Sequence, residues 1–177
     1  MAELKAVIFD QDGVIADTER DGHRVAFNRA FRQAGLDIEW DVARYGELLN
    51  ISGGKERLRT EISDDEIIRQ LHGLKTDIFM QMLEDGEIAL RPGIARLVRE
   101  IHEAGVKLVV CSTSNERAVN TLVRTLLGAD VHGWFDLILA GDVVTRKKPS
   151  PEIYQMALER LALDPADCVV IEDSRNG

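Results

Sequence analysis

Four short apolar runs, at residues 6–9, 108–111, 135–140 and 168–171, each stop abruptly on polar groups: Asp10, Ser112, Gly141-Asp142 and Glu172-Asp173. Unbroken apolar runs of this length, rich in Val and Ile, are the pattern of parallel strands buried on both faces. Helical periodicities separate the later runs. Ile94, Leu97, Val98 and Ile101 recur at i, i+3, i+4 and i+7, with Gly105 where a C-terminal cap falls. Ala118, Val119, Leu122, Val123 and Leu126 repeat that spacing. So do Ile153, Tyr154, Ala157, Leu158 and Leu161, behind Ser150-Pro151-Glu152, where Ser reads as the cap and Pro as the first helical residue. Strands alternating with helices of this length specify crossover units, hence an α/β fold with a parallel sheet covered on both faces.

The alternation stops between the first run and Pro92. Residues 18–89 show helical patterning only, through Val25, Ala26, Ala30 and Phe31, then Ile67, Ile68, Leu71, Ile78 and Met82. That is too long for one crossover and predicts an inserted helical subdomain. The expected division is a core of residues 1–16 and 91–177 and a helical cap of residues 17–90, hinged near 15–17 and 88–93, where Arg91-Pro92-Gly93 breaks the pattern. A length of 177 residues agrees with one domain carrying a modest insertion.

Composition narrows the partners. Hydrophobic residues are 45% and charged residues 30%, which excludes disorder, collagen and coiled coil. Asp plus Glu outnumber Lys plus Arg by 31 to 22, a formal charge of -9, so nucleic acid and anionic membrane are not expected partners. No apolar stretch approaches the roughly 18 residues of a membrane helix. Cys111 and Cys168 form no disulfide or metal spacing, which points to a reducing compartment. The opening MAELKAVIFD leaves no room for a signal peptide, so the expected location is cytoplasmic, or an organelle stroma after processing. The chain ends at Gly177, soon after the fourth run. The expectation is an exposed edge beside residues 169–171, low stability, and a monomer, or a dimer that covers the edge.

In open parallel sheets ligands bind at the carboxyl ends of the strands. If the runs are neighbours, Asp10, Asp12, Ser112, Thr113, Ser114, Lys148, Glu172 and Asp173 converge on one crevice. Four carboxylates there need compensating charge. Oxygen-only ligands suit Mg²⁺, and Mg²⁺ with Lys148 would neutralise a transferring phosphoryl group. In FDQDGV, Asp10 and Asp12 stand two apart at a strand end, and Gly13 permits a sharp bend. One carboxylate can attack phosphorus while its neighbour handles the proton. A calcium loop also begins D-x-D-G, but Val14 and Ala16 offer it no ligands.

Together DQDGV, VVCSTSN, GDVVTRKKPSPEIY and VIEDSRNG resemble the haloacid dehalogenase superfamily of phosphotransferases, across essentially the whole chain. The resemblance implies a Rossmann-like core with a cap after the first strand. It implies Asp10 as nucleophile, Asp12 as general acid and then general base, and Ser112 bonded to the phosphoryl oxygen. Ser114 and Asn115 would lie nearby, Lys148 would hold nucleophile and phosphate, and Mg²⁺ would bind the Asp10 side chain, the Asp12 main-chain carbonyl and Asp173, with Glu172 in support. The true dehalogenases lack the second Asp, so Asp12 favours phosphoryl transfer.

DTERDGHRVAFN, YGELLNISGGKERL and GEIALRPG are similar to the CbbY-type phosphatases, which act on xylulose 1,5-bisphosphate. That similarity implies a second-phosphate clamp in the loop Gly53, Gly54, Lys55, Glu56 and Arg57, where paired glycines admit an anion and Lys55 and Arg57 hold it. The other reading of the loop is a helix start with a solvated basic turn. Glu19 and Tyr45 would contact sugar hydroxyls, or be an exposed Glu and a buried packing Tyr. His23 is a partner for sugar or aspartate, and Arg91 a phosphate ligand or an exposed hinge residue. Lys147 is expected to be solvated, and His72, His102 and His132 to be helix-surface or loop residues. Gln11 has no assigned role. The function implied is a Mg²⁺-dependent sugar (bis)phosphate phosphatase. The alternatives are a β-phosphoglucomutase-like phosphomutase and an inactive truncated fragment serving as a binding module.

Overall fold

A computed structural model describes residues 3–177. Strand β1 (Ala6–Phe9) leads through a π-helical turn (Glu19–His23) into α1 (Arg24–Gln33), α2 (Val42–Leu48), α3 (Gly54–Leu58) and the long α4 (Asp65–Glu84). Alternation then begins: α5 (Ile94–Glu103), β2 (Lys107–Ser112), α6 (Glu116–Leu127), the short α7 (Ala129–His132), β3 (Phe135–Ala140), α8 (Glu152–Leu161) and β4 (Cys168–Ile171). The four apolar runs of the sequence are the four strands. They form one parallel sheet in the order β3-β2-β1-β4, as the alternation with helices requires.

Period-two alternation divides the inner strands between two cores. Val7, Phe9, Leu108 and Val110 face α5 and α6, while Ile8, Val109 and Cys111 face Ile153 and Ala157 of α8. Helix α8 starts one residue later than its sequence suggests: Pro151 takes the cap position, and Ser150 Oγ accepts from Glu152 N at 3.4 Å. Strand β4 carries the open edge the sequence led us to expect. Val169 and Val170 are 48% and 43% exposed, and β4 has no outer partner among the described residues.

The helical segment holds a core of its own. Phe27, Phe31, Trp40, Tyr45, Leu48, Leu58, Ile68 and Leu71 cluster together. Trp40 packs with ring centroids 4.9 Å from Phe27 and 5.0 Å from Phe31, and such pairs add about 0.5–1.5 kcal/mol beyond burial. The other side of α4 joins the sheet's core through Phe79, Met82 and Leu83. Chain exit and return lie side by side: Ala16 bridges Leu90, and Arg91 N donates to Ile15 O at 3.0 Å. The helices therefore stand over the carboxyl ends of the strands.

Candidate active site

Strand ends and helical segment enclose a cavity of about 430 Å³. Because β1 lies between β2 and β4, its terminal Asp10 meets residues from both neighbours. Lys148 Nζ donates to Asp10 Oδ1 at 2.9 Å, to Cys111 O at 2.8 Å, and to Glu172 Oε1. Tyr154 OH also donates to that Glu172 oxygen. Burial pushes the Asp10 carboxyl up to about 7; Lys148 opposes the shift, and the charges of Asp12 and Glu172 add to it. Burial works against the Lys148 charge too, but Asp10 and its bonds to Asp10 and Glu172 hold the ammonium above its ordinary value.

Asp12 has a different environment. Its Oδ1 accepts from Thr18 Oγ1 and pairs with His23 Nε2 at 2.9 Å, while Oδ2 accepts from Ser114 Oγ. His23 Nδ1 in turn meets Lys75 Nζ at 2.9 Å. Burial alone would raise Asp12, but the charge and hydrogen bond of His23, with the Ser114 and Thr18 hydroxyls, hold its carboxyl far below the usual carboxylate range. Lys75 is buried between the Phe27 and Phe79 rings, 5.0 and 5.3 Å from their centroids, and burial brings it down to about 8. Two carboxylates two residues apart thus receive opposite electrostatic settings.

Gln11, between them, is fully buried. Its Nε2 reaches Asp12 Oδ1 at 3.5 Å, and its Oε1 has no hydrogen-bond partner. Gly13 adopts φ +80°, and a Cβ there would overlap the Asp173 carboxylate. Glycine is what lets β4's terminal acid close onto the first loop.

Several expected site residues are engaged by other groups of the protein, whether in the cavity lining or behind it. Ser112 is 1% exposed, with Oγ turned back to accept from Ser114 N at 3.1 Å, and the cavity wall there is Thr113, Ser114 and Asn115. Asn115 caps α6, accepting from Arg117 N at 3.0 Å. Tyr45 lies behind the wall: its OH donates to Glu19 Oε2 at 2.7 Å, so Glu19 faces the cavity and Tyr45 holds it. Arg57 is not a free clamp. Its guanidinium donates to Tyr45 OH at 2.9 Å, Ile51 O at 3.0 Å and Glu19 Oε2 at 3.3 Å, because a charge this buried needs partners on every side. Lys147 is not solvated: it is 15% exposed and pairs with Glu56 and Asp142. His72 is not a surface residue, since it packs at Gly54 and lines the cavity; burial and then Lys75, Lys55 and Lys147 lower it to about 3. Arg91 is exposed and outside this cavity.

Asp10, Glu172 and Asp173 each offer a carboxylate oxygen within 4.8 Å of the others. Burial and mutual repulsion raise Asp10, and burial followed by Glu172 raises Asp173. A set of hard oxygen donors short of positive charge fits Mg²⁺. The Asp12 carboxylate is outside this cluster, held by Thr18, His23 and Ser114.

Comparison with known proteins agrees with this geometry. A haloacid dehalogenase-like hydrolase family model matches residues 4–177. A CbbY-like protein of Arabidopsis thaliana is 47% identical over 97% of this chain, which spans only 58% of that relative's length. Protein CbbY of Cereibacter sphaeroides is 44% identical over 98% of this chain and 78% of its own. A crystal structure of CbbY from Rhodobacter sphaeroides, an aspartate-to-asparagine mutant in complex with xylulose 1,5-bisphosphate, superposes with a TM-score of 0.92 at 42% identity, covering 98% of this chain and 79% of that one. The parallel sheet, the paired aspartates at its centre and these matches together make the chain a member of the haloacid dehalogenase-like hydrolases, in the group of the CbbY proteins.

Proposed function

We propose that the protein is a Mg²⁺-dependent phosphatase acting on a sugar bisphosphate, with xylulose 1,5-bisphosphate as the substrate to test first. The observation that carries the reading is the division of labour at the end of β1: Asp10 pinned by Lys148 at 2.9 Å, Asp12 ringed by proton-bearing groups. The bisphosphate complex of the CbbY relative supports the choice of substrate. Asp10, Glu172, Asp173 and the Asp12 main-chain carbonyl would hold Mg²⁺, which when bound offsets phosphoryl negative charge.

Asp10 attacks phosphorus and forms an aspartyl phosphate as the bond to the sugar oxygen breaks. The leaving oxygen takes a proton from the Asp12–His23 pair, whose Oδ1 and Nε2 share one at 2.9 Å. Asp12 then accepts a proton from water, the water oxygen attacks phosphorus, and Asp10 is released with inorganic phosphate. Lys148 holds the Asp10 carboxylate in place and faces the charge that grows on the phosphoryl oxygens. The helical cap, closed over the strand ends, excludes bulk water during the first step.

The test is phosphate release from xylulose 1,5-bisphosphate, with Mg²⁺ and with chelator, by the protein and its Asp10→Asn variant. Metal-dependent release abolished by the substitution is expected. Isomerised sugar phosphate without free phosphate would make the protein a mutase. Binding without either product would leave a binding module.

A further inference from the structure

Four charged side chains close the seam between α3 and the core loop after β3. Lys55 Nζ lies 2.7 Å from Asp142 Oδ2, and Lys147 Nζ lies 3.4 Å from Asp142 Oδ1 and 3.2 Å from Glu56 Oε2. Lys55 comes from the helical segment and Lys147 from the core, and both line the cavity that holds Asp10 and Lys148. Two ammonium groups from opposite walls therefore meet on one carboxylate. Asp142 occupies an anion position with the chain's own side chain.

We propose that Lys147 supplies a core-side cation to the second-phosphate subsite already expected at the start of α3, and that Asp142 is a placeholder which the phosphate displaces. The inference rests on the bisphosphate reading above and adds to it a residue, Lys147, and an exchange. The side-chain exposures give the direction. Asp142 is 66% exposed and already half in water, so releasing it returns a hydrated carboxylate to solvent. Lys147 is 15% exposed and pinned by Glu56, so its ammonium stays when Asp142 leaves. A phosphate brings about two charges and three acceptor oxygens to the two ammonium groups, where the carboxylate brought one charge.

Gly53 belongs to the same arrangement. Its φ is +100°, and a Cβ there would stand 3.0 Å from Lys147 Nζ and overlap the Glu56 carboxylate. Glycine takes that φ without strain and lets the start of α3 come down onto Lys147 with Glu56 in place. Because Lys55 and Lys147 belong to opposite walls, an anion bridging them also holds the cap shut. A monophosphate seated at Asp10 leaves Asp142 where it is and gains nothing from the seam. Lys147 thus sets preference for substrates with two anionic ends.

The experiment compares kcat/KM for xylulose 1,5-bisphosphate and for each xylulose monophosphate, in the protein, Lys147→Gln, Lys147→Arg and Asp142→Asn. Losing one charge-assisted contact predicts that Lys147→Gln lowers the bisphosphate-to-monophosphate ratio roughly tenfold to a hundredfold, through KM rather than kcat. Lys147→Arg restores most of the ratio, and Asp142→Asn raises it severalfold by removing the competitor. Equal losses on both substrate types in Lys147→Gln overturn the subsite, as does a fall in the ratio for Asp142→Asn, or the absence of any bisphosphate preference in the unmodified protein. Calorimetric titration of the bisphosphate into Asp10→Asn, with and without Lys147→Gln, separates the two readings. Lys147-dependent binding without turnover removes the phosphatase and keeps the subsite, while turnover with Lys147-independent binding does the reverse.

Discussion

Asp10→Asn should stabilise the metal-free protein at alkaline pH even as it abolishes turnover. Burial raises the Asp10 carboxyl from 3.8 to about 7, against the pull of Lys148. Because the folded value lies above the unfolded one, the folded chain holds the proton more tightly, and stability falls as pH rises from about 4 to about 7. A rise of that size, at about 1.4 kcal/mol per tenfold change in proton affinity, amounts to about 4 kcal/mol of lost stability above pH 7. Asparagine carries no charge at any of these pH values and can turn its Oδ1 to Lys148 Nζ, which keeps its bonds to Glu172 and Cys111 O. The variant should match the parent below pH 4 and exceed it by about 2–4 kcal/mol at pH 8. Urea unfolding in chelator at pH 4, 5.5, 7 and 8, on both proteins, reads the difference directly. A stability difference that does not change with pH, or an Asn variant less stable at pH 8, would refute the claim that Lys148 only partly compensates the buried Asp10 charge. Added Mg²⁺ should erase the variant's advantage, since the cation supplies the missing compensation.

Three other substitutions separate the parts of the site. Lys148→Met leaves Asp10 and Glu172 buried without a cation, so unfolding in chelator at pH 8 should show a loss of about 3–5 kcal/mol, partly recovered with Mg²⁺. Gly13→Ala puts a side chain at φ +80° and against Asp173, so half-saturation for Mg²⁺ in a binding titration should rise roughly tenfold or more. Lys75→Met should lose a pH slope. Burial lowers Lys75 from 10.5 to about 8, so the parent gains stability between pH 8 and 10.5, up to about 3 kcal/mol, and the variant does not. A parallel slope in both would contradict the burial argument, and kcat should fall because His23 Nδ1 loses its partner.

The sheet could be read from the sequence because a doubly covered parallel strand leaves an unmistakable trace. AVIF and LVVC, the two inner strands, have no polar interruption and end where chemistry begins. The pairing of Asp10 with Lys148 was accessible for the same reason: both follow strands, and a strand order fixes which loops meet. What escaped came from helices, where position along the chain says little about depth. Thr18, just before the π-helical turn, bonds Asp12 directly and Lys75 of α4 reaches it through His23, and neither stood out as polar in a polar stretch. Lys75 did leave a signal, as the one lysine in the apolar stripe Ile68, Leu71, Phe79 and Met82 of α4. Adjacent lysines 147 and 148 suggested one inward and one outward residue, but the cap lies over both, so Lys147 meets Glu56 instead of water. Arg57 read as either a clamp or a solvated turn; it is no solvated turn, since it is buried in the cavity lining with Tyr45 and Glu19 as partners. Its guanidinium lies over the Tyr45 ring and bonds to its hydroxyl, a contact between residues of two separate helices that no local pattern encodes.

The settings of the two aspartates in the ligand-free site are the reverse of what the proposed first step needs. Asp10 must attack as an anion, yet burial gives it an affinity for protons, while Asp12 must deliver a proton, yet His23, Ser114 and Thr18 keep it ionised. Each setting follows from charge that the reactants themselves would change. A divalent cation among Asp10, Glu172 and Asp173 removes the reason for Asp10 to hold a proton. A phosphoryl dianion beside Asp12 gives its carboxyl a reason to take one, with His23 at 2.9 Å as the nearby source. Both changes require the two ligands together, so neither alone arms the pair. That coupling explains the placement of His23 and Lys75 on the helical segment rather than the core: the groups that set Asp12 arrive with the element that closes over the substrate.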